Sequence, residues 1–193
     1  MPLATLTRLK DELLDLYGED QIALFVTTIT RMQVGDLLKS GVTKINNRLS
    51  IGQDAPNEPG AIADYSVTFA ELLAHFDPES QQNKAVRARL IVFAFTLWEN
   101  IYRPAISEEC GRDCINSDAF GDLRRYRNAI LHNKGKLDKD IKVLTVFGKG
   151  DTIEPTAEQL REVFKQLLVG LNDLGVRYYG ENPGFEWGRR LNA

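Results

Sequence analysis

Three features of the sequence predict an all-α fold, a helical bundle with a short β-hairpin or turn before its last helix. Apolar residues recur at spacings of three and four along most of the chain, the period that builds one helix face. The strongest apolar run, RLIVFAFTLWENIYRPAI, lies in a segment from about Gln81 to Tyr102, far too long for a strand. KVLTVFGKGDTI alternates apolar and polar residues around a Gly148-Lys149-Gly150 turn, where a small hairpin is expected. At 193 residues, with 43% hydrophobic and 26% charged residues, a single helical domain over 1–193 with a substantial core is expected.

Taken in order, Leu6, Leu9, Leu13, Leu14 and Leu16 mark a first amphipathic helix with Gly18 as its stop. Ile22, Phe25, Val26, Ile29, Met32, Leu37, Leu38, Val42 and Ile45 predict one long kinked helix or two shorter ones up to about Leu49. The stretch SIGQDAPNEPG carries two prolines and two glycines and reads as an exposed loop. A short helix over Ser66 to Phe76 follows, and His75 at its end is read as structural. The central helix comes next, with Pro104 marking its end. Ser117 or Asp118 caps a helix that runs to about Asn133. Thr156 caps the last one, from about Ala157 to Tyr178, with Leu160, Val163, Phe164, Leu167, Leu168, Leu171 and Leu174 on its buried stripe. The tail is irregular, anchored by Phe185 and Trp187.

Composition narrows the function. A net charge of -3 and a pI near 5.5 exclude a protein that coats nucleic acid through an overall basic surface, so any such contact is local. The N-terminal sequence carries acids inside its apolar pattern, and no uncharged apolar run reaches membrane-spanning length; a cytoplasmic protein without a membrane partner is expected. Cys110 and Cys114 read as reduced thiols, with no further ligand near enough in sequence for a zinc site. No HExxH, GxSxG or paired-carboxylate layout occurs, and the GKGD turn lacks the pattern of a phosphate-cradling loop, so neither a metal nor a cofactor is expected.

The chemistry concentrates on the helix from Asp118 to Asn133. Phe120, Leu123, Tyr126 and Ile130 form its core stripe, leaving Arg124, Arg125, Asn128 and His132 off it. Arg127 sits roughly 140° around from His132, at about 100° per residue, yet a long arginine can swing to the imidazole while Asn128 orients it. His132 lies in the last turn, where the negative end of the helix dipole favours a cation. Cleavage of RNA without a metal requires a base for the ribose 2′-hydroxyl, charge stabilisation at phosphorus and an acid for the 5′-oxygen. Histidine exchanges protons, and arginine grips phosphate with two parallel donors. From Gly121 to Lys142, seven basic residues stand against three acidic ones, a local positive patch on an acidic chain. Residue types and spacing alone leave a plain solvated basic face as the competing reading.

The stretch RYRNAILHNKG resembles the signature of HEPN domains: an arginine, a small polar residue, then intervening positions ending in histidine near a helix end. Arg127, Asn128 and His132 fill those places. The order of a long helix carrying LWENIYR, a linker, the signature helix, a FGKGDTI turn and a closing helix is similar too. The resemblance covers roughly residues 80–178, with 1–79 as an N-terminal helical elaboration. It implies a helical bundle that forms a homodimer, the two signature helices framing one cleft that cuts single-stranded RNA. Arg127 would bind the scissile phosphate, Asn128 hold His132, and His132 act as acid or base. Arg124, Arg125, Lys134 and Lys136 would bind RNA. By spacing, Glu99 pairs with Arg103 one turn on and stabilises the central helix, with support of Arg127 as its alternative role. Such proteins are toxins or antiviral effectors, with an antitoxin or regulatory protein as a further partner; others have lost catalysis and bind RNA, nucleotides or proteins. One branch has tyrosine two places after the histidine, where this chain has Lys134.

Overall fold

The computed structural model describes residues 3–52 and 62–188. The protein is mostly helical, with one small antiparallel sheet. Contacts divide it into two compact units, Met1–Asp20 with Lys84–Ala193, and Gln21–Asn83.

The first unit holds the main core. Its N-terminal stretch is the beginning of α1 (Ala4–Lys39), which buries Leu6, Leu9, Leu13, Leu14 and Leu16. These pack in one cluster with Ile91, Ala94 and Phe95 of α3 (Gln81–Leu97), with Phe120, Leu123 and Tyr126 of α5 (Asp118–His132), and with the stripe of α6 (Ala157–Leu174). All seven residues expected on the α6 stripe are buried, and Thr156 closes a capping box with Gln159 at its start. The tail returns to this core: the side-chain amide of Asn172 donates to the Phe185 carbonyl at 3.0 Å and accepts from its N–H at 2.8 Å. Trp187 meets Tyr17 edge to face at 4.8 Å. The buried Arg87 guanidinium donates to Asp20 at 3.2 Å.

The second unit contains the rest of α1, the strands β1 (Arg48–Ile51) and β2 (Tyr65–Thr68), and the short helix α2 (Phe69–His75). The strands pair with Arg48 opposite Thr68 and Ile51 opposite Tyr65. Thr68 and Glu71 form a capping box that turns β2 into α2. Arg31 pairs with Asp77 at 3.0 Å, and Val34 and Val67 are buried.

Several sequence expectations are corrected. Gly18 does not stop the first helix; α1 continues to Lys39, because a helical glycine costs only about 1 kcal/mol and the leucines before it fix the helix in the core. The stop is Gly41, in the left-handed region at φ +74°. The segment beyond it forms a turn and β1 instead of helix up to Leu49. Ser50 and Ile51, expected in the loop, belong to β1; residues 53–60 of that loop lie outside the described residues.

Pro104 does not end the central helix either. Trp98–Tyr102 widens into a π turn and runs directly into α4 (Arg103–Glu109), with Pro104 in the first turn of α4. A π turn shifts the hydrogen-bond register, so the missing N–H of proline falls where a helix start needs none.

No hairpin forms at KVLTVFGKGDTI. Backbone N–H groups that a ladder would use are taken by side chains: Lys142, Val143 and Leu144 donate to Asp122, Thr145 to Gln166, and Phe147 to Tyr126. The segment is a loop fastened to α5, touching a neighbour in ladder fashion only through a single bridge between Lys136 and Thr152. Among the described residues, no helix is long and apolar enough to cross a membrane.

Candidate active site

Helix α5 carries the signature residues, and three contacts fix it. Ser117 caps its start, accepting from the Phe120 N–H. The Phe120 ring stacks on Trp98 of the π turn, with centroids 4.1 Å apart and planes 13° from parallel. The third contact is the loop after the helix, which Asp122 and Tyr126 hold.

Asp122 is fully buried. Its Oδ2 accepts the N–H groups of Lys142, Val143 and Leu144 at 2.8, 2.6 and 3.1 Å, and its Oδ1 accepts from Arg125. A buried carboxylate is tolerated only with such a full set of donors. The Tyr126 hydroxyl accepts the Phe147 N–H at 3.1 Å and donates toward the Leu144 carbonyl, and burial pushes its ionisation up to about 12. Nearby, Lys142 reaches Asp118 at 2.9 Å and holds that carboxyl below its usual range.

At the other end of α5, His132 is exposed while Arg127 and Asn128 are half-buried. Arg127 Nη1 donates to Asn128 Oδ1 at 2.8 Å and lies 3.4 Å from His132 Nε2. Asn128 was expected to hold His132; it holds the arginine instead, which then bridges to the imidazole. A guanidinium only donates, so the Arg127 contact requires Nε2 to present its lone pair and places the ring proton on Nδ1. The helix then ends in a left-handed turn, Lys134 at φ +51° and Gly135 at φ +83°, with the Gly135 N–H returning to the Ala129 carbonyl at 2.9 Å.

The remaining expected site residues divide into three groups. Lys134 and Lys136 are exposed in the turn directly after His132. Arg125 is committed to Asp122 and serves the loop, so it is not a free phosphate ligand. Arg124 points to a different place, a cavity of about 110 Å³ that it lines with Phe95, Trp98, Glu99, Arg103 and Phe120. Glu99 grips Arg103 through both oxygens, at 2.8 and 3.0 Å, and not Arg127. Arg103 also donates to the Ile115 carbonyl at 3.1 Å and to Cys114 Sγ at 3.2 Å, tying down the linker before α5. Among the described residues, no group of three or more His, Cys, Asp or Glu is placed to hold a metal ion.

In the sequence, Asp122 stands as one acid among several and Tyr126 as a core residue. The available signal is position: Asp122 falls on the buried side of α5, three residues before Arg125 and four before Tyr126, where an acid survives only if partnered.

Comparison with family models, curated proteins and solved structures returns no match for the chain.

Proposed function

We propose that the protein is a metal-independent endoribonuclease of the HEPN class that cuts single-stranded RNA, a toxin or antiviral effector in its biological role. The observation that carries this reading is the approach of the Arg127 guanidinium to within 3.4 Å of His132 Nε2 at the accessible end of α5, with Lys134 and Lys136 exposed in the turn that follows.

The chemistry asks little more of these groups. The scissile phosphate draws Arg127 off Nε2 of His132, and the freed nitrogen takes the proton of a ribose 2′-hydroxyl, whose oxygen attacks the adjacent phosphorus. The negative charge that builds on the phosphoryl oxygens is met by Arg127, two of whose donors suit a phosphate. The bond from phosphorus to the 5′-oxygen breaks, and that oxygen receives a proton from a second imidazole. One chain has a single histidine here, so the second comes from a facing copy, which is why the reading includes a homodimer. The products are a 2′,3′-cyclic phosphate and a 5′-hydroxyl. Asn128 holds Arg127 in place for this step, and Lys134 and Lys136 bind flanking phosphates.

The test is cleavage of an end-labelled single-stranded RNA in EDTA by the wild type, His132→Ala and Arg127→Ala. Cleavage by the wild type alone, with cyclic-phosphate ends, supports the reading. Absent cleavage, or equal cleavage by all three, overturns it and leaves a module that binds RNA, a nucleotide or a protein through the same basic face.

A further inference from the structure

The half of α1 that lies in the second unit is apolar on two faces. Leu24, Thr27, Val34 and Leu38 share one face by helical spacing and are buried or half-buried. The opposite face carries larger apolar groups and is open: Ile22, Phe25 and Met32 are 67%, 66% and 65% exposed, with Val26 and Ile29 between them exposed as well. A helix that is apolar all round belongs in an interior, and a helix with one free face normally turns its polar side to water.

We infer that this face, from Ile22 to Met32, pairs with the same face of a second copy of the chain, the two helices running antiparallel about a two-fold axis level with Thr27. The pattern of the residues argues for it. Their order along the helix, Ile22, Phe25, Ile29, Met32, steps by three, four and three and reads the same in both directions. An antiparallel partner therefore sets Ile22 against Met32 and Phe25 against Ile29, with the two Val26 side chains flanking the axis. A two-fold interface demands this self-complementarity, because each copy presents the same patch.

Charge agrees. Between Gln21 and Gly35 the one ionisable side chain is Arg31, which is paired with Asp77, so nothing on the face repels its copy. The same lack of basic residues disfavours a lipid surface, for which interfacial helices carry lysine and arginine beside the apolar stripe.

The area is also sufficient. At about 100 Å² for each large apolar side chain removed from water, five such groups supply on the order of 500 Å² per copy. A standard interface buries about 800 Å² per partner, roughly two thirds of it apolar in homodimers, which again is about 500 Å².

This pairing is independent of the nuclease reading, since it lies wholly in residues 21–83, and the test reads it directly. In the full chain with Cys110→Ser and Cys114→Ser, Val26→Cys is expected to form a disulfide-linked dimer under mild oxidation. Ile22→Cys and Met32→Cys each stay uncrosslinked alone and link when mixed. Phe25→Glu added to Val26→Cys removes the link, as loss of a buried hot-spot residue does, while helix content stays unchanged. A Val26→Cys chain that never links, an Ile22→Cys chain that links to itself as well as to Met32→Cys, or a link that survives Phe25→Glu overturns the proposal. So does a wild-type chain that sediments as a monomer at high micromolar concentration, in which case the face serves a different partner.

Discussion

Arg127 Nη1 lies 3.4 Å from Nε2 of His132. Because arginine has no acceptor, the neutral imidazole must carry its proton on Nδ1 while this contact holds. The ring nitrogen shifts of selectively ¹⁵N-labelled protein check it: Nε2 is expected in the unprotonated range and Nδ1 in the protonated range. Arg127→Ala removes the constraint and brings the two tautomers into mixture. A neutral His132 protonated on Nε2 in the wild type contradicts the arrangement.

Asn128 acts on the same pair from the other side, accepting from Arg127 at 2.8 Å. If it positions the arginine for phosphate, Asn128→Ala lowers the cleavage rate constant by roughly tenfold, about 1.4 kcal/mol of transition-state stabilisation, with KM changed far less. Its half-exposed side chain has one intramolecular partner, so stability shifts by under about 1 kcal/mol. An equal loss from Asn128→Ala in melting temperature and in rate would assign the residue to folding alone.

Asp122 and Arg125 form an unequal pair. The carboxylate is buried and also holds three loop N–H groups, whereas the Arg125 side chain is partly exposed. Removing the acid strands several buried donors, and Asp122→Ala is expected to cost about 3 kcal/mol or more. Arg125→Ala leaves those loop bonds intact but removes the carboxylate's cationic partner, and is expected to cost less, about 1–2 kcal/mol. Urea unfolding of the two variants measures the difference; similar losses would mean that the loop bonds contribute little.

Elements announced by a cap together with a periodic stripe were legible in the sequence. Ser117 before α5 and Thr156 before α6 lie within one residue of where local chemistry puts them, and the α6 stripe is buried throughout. What was not legible depends on residues far apart in the chain. The β1–β2 pairing joins Arg48–Ile51 to Tyr65–Thr68 across a long insertion. The hairpin expected at 142–153 fails because Asp122 and Tyr126, some twenty residues earlier, capture its N–H groups, and alternation alone gives no sign of that. At the candidate site the motif gave the residue set, but not that Asn128 bonds to the arginine or that Arg125 is taken by Asp122.

Tyr126 gives the fold an alkaline limit. Burial raises its ionisation from about 10 in the unfolded chain to about 12. A group with a raised folded value contributes stability that is complete below pH 10 and is lost as pH climbs through 12. Thermal melts should therefore fall steeply across that window. Tyr126→Phe is expected to cost about 1–2 kcal/mol at neutral pH, since the Phe147 N–H and Leu144 carbonyl lose a partner, and to shallow the alkaline decline. An unchanged decline would trace the alkaline loss to other tyrosines, of which Tyr102, also raised to about 12 by burial, is the first to test.

Gly170 separates packing from helix propensity. It lies within α6, where replacing glycine by alanine ordinarily stabilises by up to about 1 kcal/mol. Here an added Cβ would stand 2.5 Å from the Cβ of Ala119, so the backbones of α5 and α6 are as close as a glycine allows. Neither group is a flexible side-chain end that can move aside. The clash must part the helices or shift α5, an overpacking cost of about 1–3 kcal/mol that exceeds the propensity gain. Gly170→Ala is thus expected to destabilise. Ala119→Gly removes the opposing methyl and should restore most of the loss in the double variant, apart from its own glycine penalty in α5. A double-mutant cycle measures the coupling, and because α5 carries the candidate site, RNA cleavage should track the same rescue. Simple additivity of the two changes would mean that the helices are free to adjust.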